Sequence, residues 1–337
     1  MNLLIDVLLD YGLFLAKTMT VLLGIAVLLL LVLRLRHGAA QGDSEQLEVI
    51  DLNRRYRELT ETLKRASLSK KDLKAYLKAE HKAQKERDKH PSVERSRLFV
   101  IEFNGDIRAS EVGALRVLVS TLLIEAREGD QVLVRLDNSG GLVSEHGLAA
   151  SQLARLRAKG IPLTIAVDKV AASGGYLMAC VGERIIAAPF AIIGSIGVLA
   201  ELPNFHRLLE RSGVDFELHT AGEYKRTLTI FGENTDEGRR KLREQLEETH
   251  DLFKSFVATY RPTLDLERAA TGEYWHGERA VELGLVDAIQ TSDDFLLTAS
   301  KDMDLLKLKY SVRKKPIERL MSSLRQQLDQ ALAGWHR

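Results

Sequence analysis

Residues 131–189 read QVLVRLDNSGGLVSEHGLAASQLARLRAKGIPLTIAVDKVAASGGYLMACVGERIIAAP. Apolar runs in this stretch alternate with helical patterns, one at 143–157 and a small-residue helix after Ser173. The alternation predicts an α/β domain. Because strands buried on both faces read as nearly continuous apolar runs, it also predicts a largely parallel sheet. The runs assigned to strands are 131–139, 162–168 and 184–189.

The same alternation extends outward from this stretch. Upstream, LFVIEFNG (98–105) reads as a strand and 111–126 as an amphipathic helix; downstream, a long charged helix is predicted around 237–260. We therefore predict one α/β domain over residues 98–300. The remainder, 301–337, reads as a basic amphipathic tail that either lies on an anionic membrane surface or packs against a neighbouring subunit.

The N-terminal region, 1–40, contains a run with the length of a membrane span. Residues 13–33 are apolar except for Lys17, and about 20 apolar residues cross a bilayer as one helix. A buried core helix and a cleaved secretory signal are the alternatives, but Asp6 and Asp10 precede the run where a signal peptide is basic. The arginines that follow the run favour a cytoplasmic location for the rest of the chain.

Residues 41–97 are dense in charged side chains, with Leu and Tyr at helical spacing, which predicts a charged helical stalk that ends near Pro91. A nucleic-acid-binding arm is the alternative, but acidic residues are interspersed and stacking aromatics are few. The whole chain carries 48 Lys and Arg against 47 Asp and Glu, a net charge of +1, so overall charge does not favour a nucleic-acid partner. The single cysteine, Cys180, excludes an intramolecular disulfide and a cysteine-built zinc site.

Two glycine-rich turns follow predicted strands, where open α/β sheets bind their ligands. The turn at 138–141 (NSGG) could present backbone N–H groups to an oxyanion or a phosphate, or it could be a plain tight turn. In the turn at 170–176 (VAASGGY), Ser173 precedes a helix and two glycines. This setting suits a nucleophile, although a serine there could equally be a helix N-cap.

A serine hydroxyl needs a base to accept its proton. A desolvated lysine can serve, because removal from water favours its neutral form. Lys225 follows a short strand-like run and is the candidate; Lys169 is the local rival. None of the histidines in or near the α/β region has the spacing of a triad partner: His146, His206, His219, His250 and His276.

VAASGGY (170–176), GSIGV (194–198) and AGEYKRTLT (221–229), preceded by NSGG, resemble the signal peptide peptidase A family of membrane-anchored bacterial serine proteases. The layout of span, stalk and single core looks most like its SohB branch. The resemblance implies a Clp/crotonase-like α/β fold, a spiral of ββα units. It also implies a Ser-Lys dyad, in which Ser173 is the nucleophile, Lys225 is the general base and Ser195 orients the lysine.

The resemblance further implies that backbone N–H groups of Gly140, Gly141 and Gly174 form an oxyanion hole. The family's turn usually reads Ser-Pro-Gly-Gly, whereas this chain has Asn138-Ser139 before the glycines, and without proline the turn is less rigid. The implied enzyme is a serine endopeptidase with no cofactor and no metal. It acts on peptides or membrane-associated protein fragments, with small or apolar residues near the cut.

The implied location is the bacterial inner membrane, held by one span, as a homo-oligomer without nucleic acid. The side of the catalytic domain is open, because the arginines indicate the cytoplasm while the family resemblance indicates the periplasm. Two other functions stay open at this point. One is an acyl-CoA enzyme of the crotonase type, which needs no serine nucleophile; the other is a non-catalytic membrane scaffold that assembles partners through the stalk and tail.

Overall fold

The computed structural model describes residues 17–20, 22–24, 45–89 and 95–312, without the side chains of 83, 84 and 86–89. One compact unit comprises residues 47–310, and the described residues outside it, 17–20, 22–24, 45–46 and 311–312, belong to a second unit. Most of the predicted span at 13–33 lies outside the described residues; 17–20 and 22–24 are helical. Within these four ranges, no helix has both the length and the apolar character needed to cross a bilayer.

Strands and helices alternate along the compact unit. The strands are β1 (Glu45–Asp51), β2 (Arg97–Gly105), β3 (Gln131–Asn138), β4 (Leu163–Val167), β5 (Val170–Ala172), β6 (Arg184–Ala187), β7 (Ile192–Gly194), β8 (Tyr274–His276), β9 (Ala288–Ile289) and β10 (Asp304–Val312). The helices are α1 (Leu52–Ser67), α2 (Lys70–Lys89), α3 (Val112–Glu125), α4 (Val143–Ala158), α5 (Gly174–Ala179), α6 (His206–Arg211), α7 (Asp236–Tyr260), α8 (Leu266–Ala269), α9 (Gly277–Glu282) and α10 (Ser292–Ala299). Each strand and helix predicted between residues 98 and 189 is confirmed, as is the long charged helix.

The described strands form one sheet whose main row runs β1-β10-β2-β3-β4-β6-β9. From β10 to β9 every pair in this row is parallel. A second row leaves it at the end of β3, where Asn138 pairs with Ala171 of β5. In that row β5 pairs with β7 in parallel, and β7 pairs with β8 antiparallel. The predicted parallel α/β sheet is confirmed.

The chain winds between the two rows as a spiral. β4 lies in the main row and β5 in the second; the helix α5 follows, and β6 and β7 repeat the same step. These are the ββα units expected of a Clp/crotonase-like fold. Because β5 and β7 are neighbours, the residues that follow them, Ser173 and Ser195, leave the second row side by side.

Both faces of the main row are covered, which explains the continuous apolar runs. Phe99 and Ile101 of β2 belong to one buried cluster, with residues of α3 and α4, while Leu98 and Val100 belong to a second. The first cluster also contains Cys180, which is fully buried at the end of α5. Its Sγ donates to the carbonyl oxygen of Leu177 at 3.2 Å, and burial raises the pKa of its thiol.

Residues 45–89 of the predicted stalk form β1 and two helices, and Leu52 at the start of α1 lies in the second buried cluster. The predicted tail begins with a strand, β10, which pairs with β2; residues 313–337 lie outside the described part. The division of the chain at 40, 97 and 300 remains a prediction.

Candidate active site

Ser173 lies between β5 and α5 in an unusual backbone conformation. Its φ is 52° and its ψ is −121°, a backbone region that residues other than glycine rarely adopt. The surroundings hold it there: its N–H donates to the Gly194 carbonyl oxygen at 2.8 Å, and its own carbonyl oxygen accepts from Leu177 N–H at 3.0 Å. Although Ser173 occupies the N-cap position, its side chain makes no capping hydrogen bond. The N-cap interpretation therefore does not account for this serine.

The two glycine-rich turns meet at Ser173. Gly140 has a φ of 92°, and a Cβ there would lie 2.8 Å from both the Gly174 nitrogen and the Ser173 Cβ. Only a glycine permits this approach of the two backbones. The structure thus brings together Ser173, Gly140 and Gly174, whose proximity the sequence alone does not establish.

A cavity of about 340 Å³ opens beside Ser173, and its wall includes Gly141, Ser173 and Gly174. This volume lies in the range of sites that hold a side chain or a small ligand. Hydroxyl groups of Ser144, Ser151 and Thr249 also line it. The rest of the wall is largely apolar, with Val143, Leu177, Val198, Leu252, Phe253 and Phe256.

The backbone amides of the glycines differ in their availability. Gly140 N–H donates to the Asn138 side-chain oxygen at 2.8 Å, so it is already engaged. Gly141 and Gly174 line the cavity, and among the described residues no acceptor is found for either N–H. Unengaged N–H groups next to a serine can stabilise an oxyanion. In this conformation the N–H groups without an acceptor among the described residues are those of Gly141 and Gly174.

Ser195 follows β7 with a φ of 49°, close to that of Ser173. Its N–H donates to the Glu273 carbonyl oxygen at 2.7 Å. The parallel register pairs Ala172 of β5 with Gly194 of β7. Ser173 and Ser195 each follow one of these two residues, so they lie next to each other at the ends of the two strands. Ser195 is half-buried and does not line the cavity.

Lys225 is exposed in the segment between α6 and α7 and is not part of the cavity wall. Its backbone N–H donates to the Gly222 carbonyl oxygen at 3.2 Å. This conformation of the segment therefore does not bring the lysine side chain into the cavity that contains Ser173.

Lys169 is poorly suited to act as the base. Its Nζ lies 2.9 Å from the Asp137 side-chain oxygen, and this hydrogen bond raises the pKa of the lysine. A raised pKa keeps the ammonium charged, whereas a base must be neutral.

Two parts of the site were not predicted from the sequence. One is the cavity wall from α7, where Leu252, Phe253 and Phe256 have helical spacing that the charged residues around them obscure. The other is the pair Asn138 and His146, which adjoin the glycine turns and are both buried. The sequence indicates them only in that both are polar residues within a segment that is otherwise largely apolar. Within the ranges described, no cluster of three or more His, Cys, Asp or Glu could hold a metal ion.

Solved structures that this chain is similar to include the 1510-N membrane-bound stomatin-specific protease, in a mutant form in complex with a substrate peptide. It is 13% identical, with a TM-score of 0.45, and the match covers 69% of this chain and 99% of that one. The ClpP protease catalytic domain from Plasmodium falciparum is 10% identical, with a TM-score of 0.38, over 57% of this chain and 86% of that one.

Two family profiles match the sequence: Peptidase family S49 N-terminal over residues 6–153 and Peptidase family S49 over residues 155–306. The Probable protease SohB of Haemophilus influenzae is 45% identical over 93% of this chain and 92% of its own length. The Probable protease SohB of Buchnera aphidicola subsp. Acyrthosiphon pisum is 52% identical over 71% of each chain. Similarity of this degree over nearly the whole length shows that the chain belongs to peptidase family S49, among the SohB-type proteases.

Proposed function

We propose that this protease is a membrane-anchored serine endopeptidase, with Ser173 as nucleophile and Lys225 as general base. The observation that carries the proposal is the setting of Ser173. Its strained backbone is held between two strands, its side chain has no capping bond, and it lies on the wall of a largely apolar cavity. Strained conformations of this kind cluster at functional sites.

In the proposed reaction, Ser173 Oγ attacks the peptide carbonyl carbon while Lys225 Nζ accepts the hydroxyl proton. The N–H groups of Gly141 and Gly174 donate to the resulting oxyanion. The C–N bond then breaks, the protonated lysine returns its proton to the leaving amine, and an acyl-enzyme remains. A water molecule, deprotonated by the same lysine, hydrolyses the ester and regenerates the Ser173 hydroxyl.

The proposal requires that Lys225 reach Ser173 in the working enzyme. An ammonium group gives up its proton readily only when it is removed from water, and Lys225 is exposed in the single chain. The segment that carries it must therefore close over the cavity. We assign Ser195 the orientation of the lysine, because it leaves the strand next to that of Ser173.

The segment around Lys225 also supports assembly into a homo-oligomer, since it exposes several large apolar side chains, and clusters of exposed apolar residues mark interaction surfaces. Phe205 and Phe216 each lie within 6.3 Å of Phe231, measured between ring centroids, and all three remain partly exposed. Burying such a surface against a second copy would remove water from the segment. The other exposed apolar residues there are Leu199, Leu202, Leu208, Val214 and Leu218.

The substrates in this proposal are peptides or membrane-associated protein fragments with a small or apolar side chain next to the scissile bond. Among the residues described, the wall of the cavity comprises aromatic and aliphatic residues, three hydroxyl-bearing residues besides Ser173, and no charged residue. An apolar side chain gains from this wall, whereas a charged one would lose its hydration without a partner. The anchor in the proposal is the run at 13–33, in the bacterial inner membrane.

Labelling of the full-length protein in detergent with a fluorophosphonate tests nucleophile and base together. The set comprises wild type, Ser173→Ala, Lys225→Met and the control Lys169→Met, which removes an exposed lysine that bonds Asp137. We expect labelling of wild type and the control, none of Ser173→Ala, and a loss of at least about 100-fold in rate for Lys225→Met. Hydrolysis of an apolar peptide should follow the same order.

Two results would contradict the proposal. Labelling of Ser173→Ala at the wild-type rate would exclude this serine as the nucleophile. Loss of labelling in Lys169→Met, with Lys225→Met unaffected, would transfer the role of base to Lys169.

A further inference from the structure

Asn138 and His146 are polar side chains buried beside the glycine turns. Their exposed fractions are 1% and 0%. Burial of a polar group is unfavourable unless its hydrogen bonds are made inside the protein. The hydrogen-bond partners of these two side chains therefore indicate which parts of the site the two residues hold in place.

The Asn138 amide has a defined orientation. Its Oδ1 accepts from Gly140 N–H at 2.8 Å, and its Nδ2 lies 3.3 Å from the sulfur of Met178 in α5. Since a backbone N–H can only donate, the oxygen must face Gly140. His146 Nε2 lies 3.2 Å from that same oxygen, and it donates to it in the tautomer that carries the ring hydrogen on Nε2. Asn138 Oδ1 thus joins the turn at Gly140 to the ring of His146.

The His146 ring contacts the second turn directly. A Cβ on Gly174 would lie 2.5 Å from the ring Cγ, which means that the imidazole packs against the Gly174 backbone. The other ring nitrogen, Nδ1, lies 3.0 Å from the carbonyl oxygen of Leu142, just before α4. One buried ring therefore fixes the separation of the two turns that flank Ser173.

We propose that Asn138 and His146 are positioning residues that hold the Gly141 and Gly174 amides toward the oxyanion. The inference rests on the proposed serine-protease function. Position 139 is serine, so no proline ring restricts the turn, and the side-chain bonds of Asn138 take over that restraint. Neither residue itself lines the cavity, so both act through the turns.

A positioning role predicts a change in kcat with little change in KM. The oxyanion exists only in the transition state and intermediates, so misplaced donors leave substrate binding intact. Misplacement by about 1 Å can cost about 100-fold in rate. A merely structural role would instead lower thermal stability and leave the kcat of the folded fraction unchanged.

The test compares full-length wild type with His146→Leu, which removes the donor, and His146→Gln, which keeps an N–H donor of similar reach. Ser139→Ala is the matched control, because that side chain is exposed in the same turn. For each we would measure kcat and KM on an apolar peptide, the melting temperature, and hydrogen exchange of the Gly140 amide. Asn138→Ala provides a second route to the same loss if His146→Leu does not fold.

We expect His146→Leu and Asn138→Ala to lower kcat about 10- to 100-fold, with KM within about threefold and faster exchange at Gly140. His146→Gln and Ser139→Ala should stay within about threefold of wild type. Wild-type kcat in folded His146→Leu or Asn138→Ala, or equal losses in the Leu and Gln variants, would overturn the inference. If Ser173→Ala retains wild-type activity, the proposed function has failed, while Gly140 exchange still reports whether the restraint exists.

Discussion

Ser173 donates its backbone N–H to the carbonyl oxygen of Gly194 at 2.8 Å, which ties it to the strand that precedes Ser195. The two serines share positive φ angles, 52° and 49°. Each follows a three-residue strand of the second row, and the parallel register places them side by side. The fold therefore imposes the strained conformation on both residues, because each follows a strand whose position is fixed by the sheet.

Replacement of Ser173 by glycine should separate strain from catalysis. Ser173→Gly and Ser173→Ala both lack the hydroxyl, so we expect neither to cleave peptide. The glycine adopts a positive φ without steric cost, and a strained residue costs about 1–3 kcal/mol. We therefore expect Ser173→Gly to be more stable than Ser173→Ala by about 1 kcal/mol in urea unfolding. Equal stability of the two variants would mean that the strain is absent.

Gly140→Ala should damage the site through a backbone clash. The added Cβ would lie 2.8 Å from the Gly174 nitrogen and from the Ser173 Cβ, so the turns must separate. We expect a loss of about 100-fold or more in kcat and a lower melting temperature. Gly113→Ala is the control, because a Cβ there meets nothing within 4 Å in the helix α3; it should raise stability by about 0.5–1 kcal/mol. Unchanged kcat in Gly140→Ala would remove the turn from the mechanism.

Gly147→Leu should alter substrate preference without harming the fold. Gly147 lines the cavity from α4, and a Cβ there has no neighbour within 4 Å. Leucine also favours the helix over glycine by about 1 kcal/mol. We expect kcat/KM for a peptide with a large apolar residue at the cut to fall about 10-fold or more relative to one with alanine. An unchanged ratio would place the specificity pocket elsewhere.

The pH dependence of stability should carry a contribution from His146. Burial lowers the pKa of its imidazole below the ordinary 6.5, although the Leu142 carbonyl oxygen opposes the shift. The unfolded chain then takes up the proton more readily than the folded one. Stability is therefore full above about pH 6.5 and is lost as pH falls through the lowered value. Urea unfolding between about pH 5 and pH 7.5 should show a steeper loss in wild type than in His146→Gln; parallel curves would contradict this.

The Arg97–Asp130 ion pair should contribute to the pH dependence of stability at lower pH than His146 does. Burial alone would raise the pKa of Asp130, but hydrogen bonds from the Arg97 side chain and from the Arg127 and Arg97 N–H groups lower it below 3.8. Its contribution is present above about pH 3.8 and is lost as pH falls through the lowered value. Since Asp130 is 4% exposed, we expect Asp130→Asn to cost about 3 kcal/mol at neutral pH. The exposed Asp236→Asn should change stability by less than about 0.5 kcal/mol, and equal effects would count against a structural role for the pair.

Four strands of the main row, β2, β3, β4 and β6, were predictable because they are buried on both faces and contain apolar runs such as 98–101 and 132–134. The outer strands β1, β9 and β10 were not predicted. The second row was not, because β5, β7 and β8 have three residues each and offer no periodicity. Residues 162–176 contain two strands where the pattern predicts one; the break at Asp168-Lys169 starts the second row.

Within the site, the motifs identified Ser173 and the glycine turns, because their residue types are unusual at strand ends. The bond between Asn138 and His146 was not predictable, since it depends on how the turn at 138–141 folds back on α4. The exposure of Lys225 was also beyond prediction: a charged segment reads the same whether it lies open or closed over a cavity.

The buried thiol of Cys180 makes the chain convenient for labelling at one chosen position. It is the sole cysteine in the sequence and is fully buried in the core. Burial also raises the pKa of the thiol, so that little of the reactive thiolate forms. A cysteine introduced at position 225 would therefore be the single site open to maleimide, with no need to engineer a cysteine-free background. A spin label or dye placed there would report, through its mobility or its exposure to water, whether that segment closes over the cavity when substrate binds.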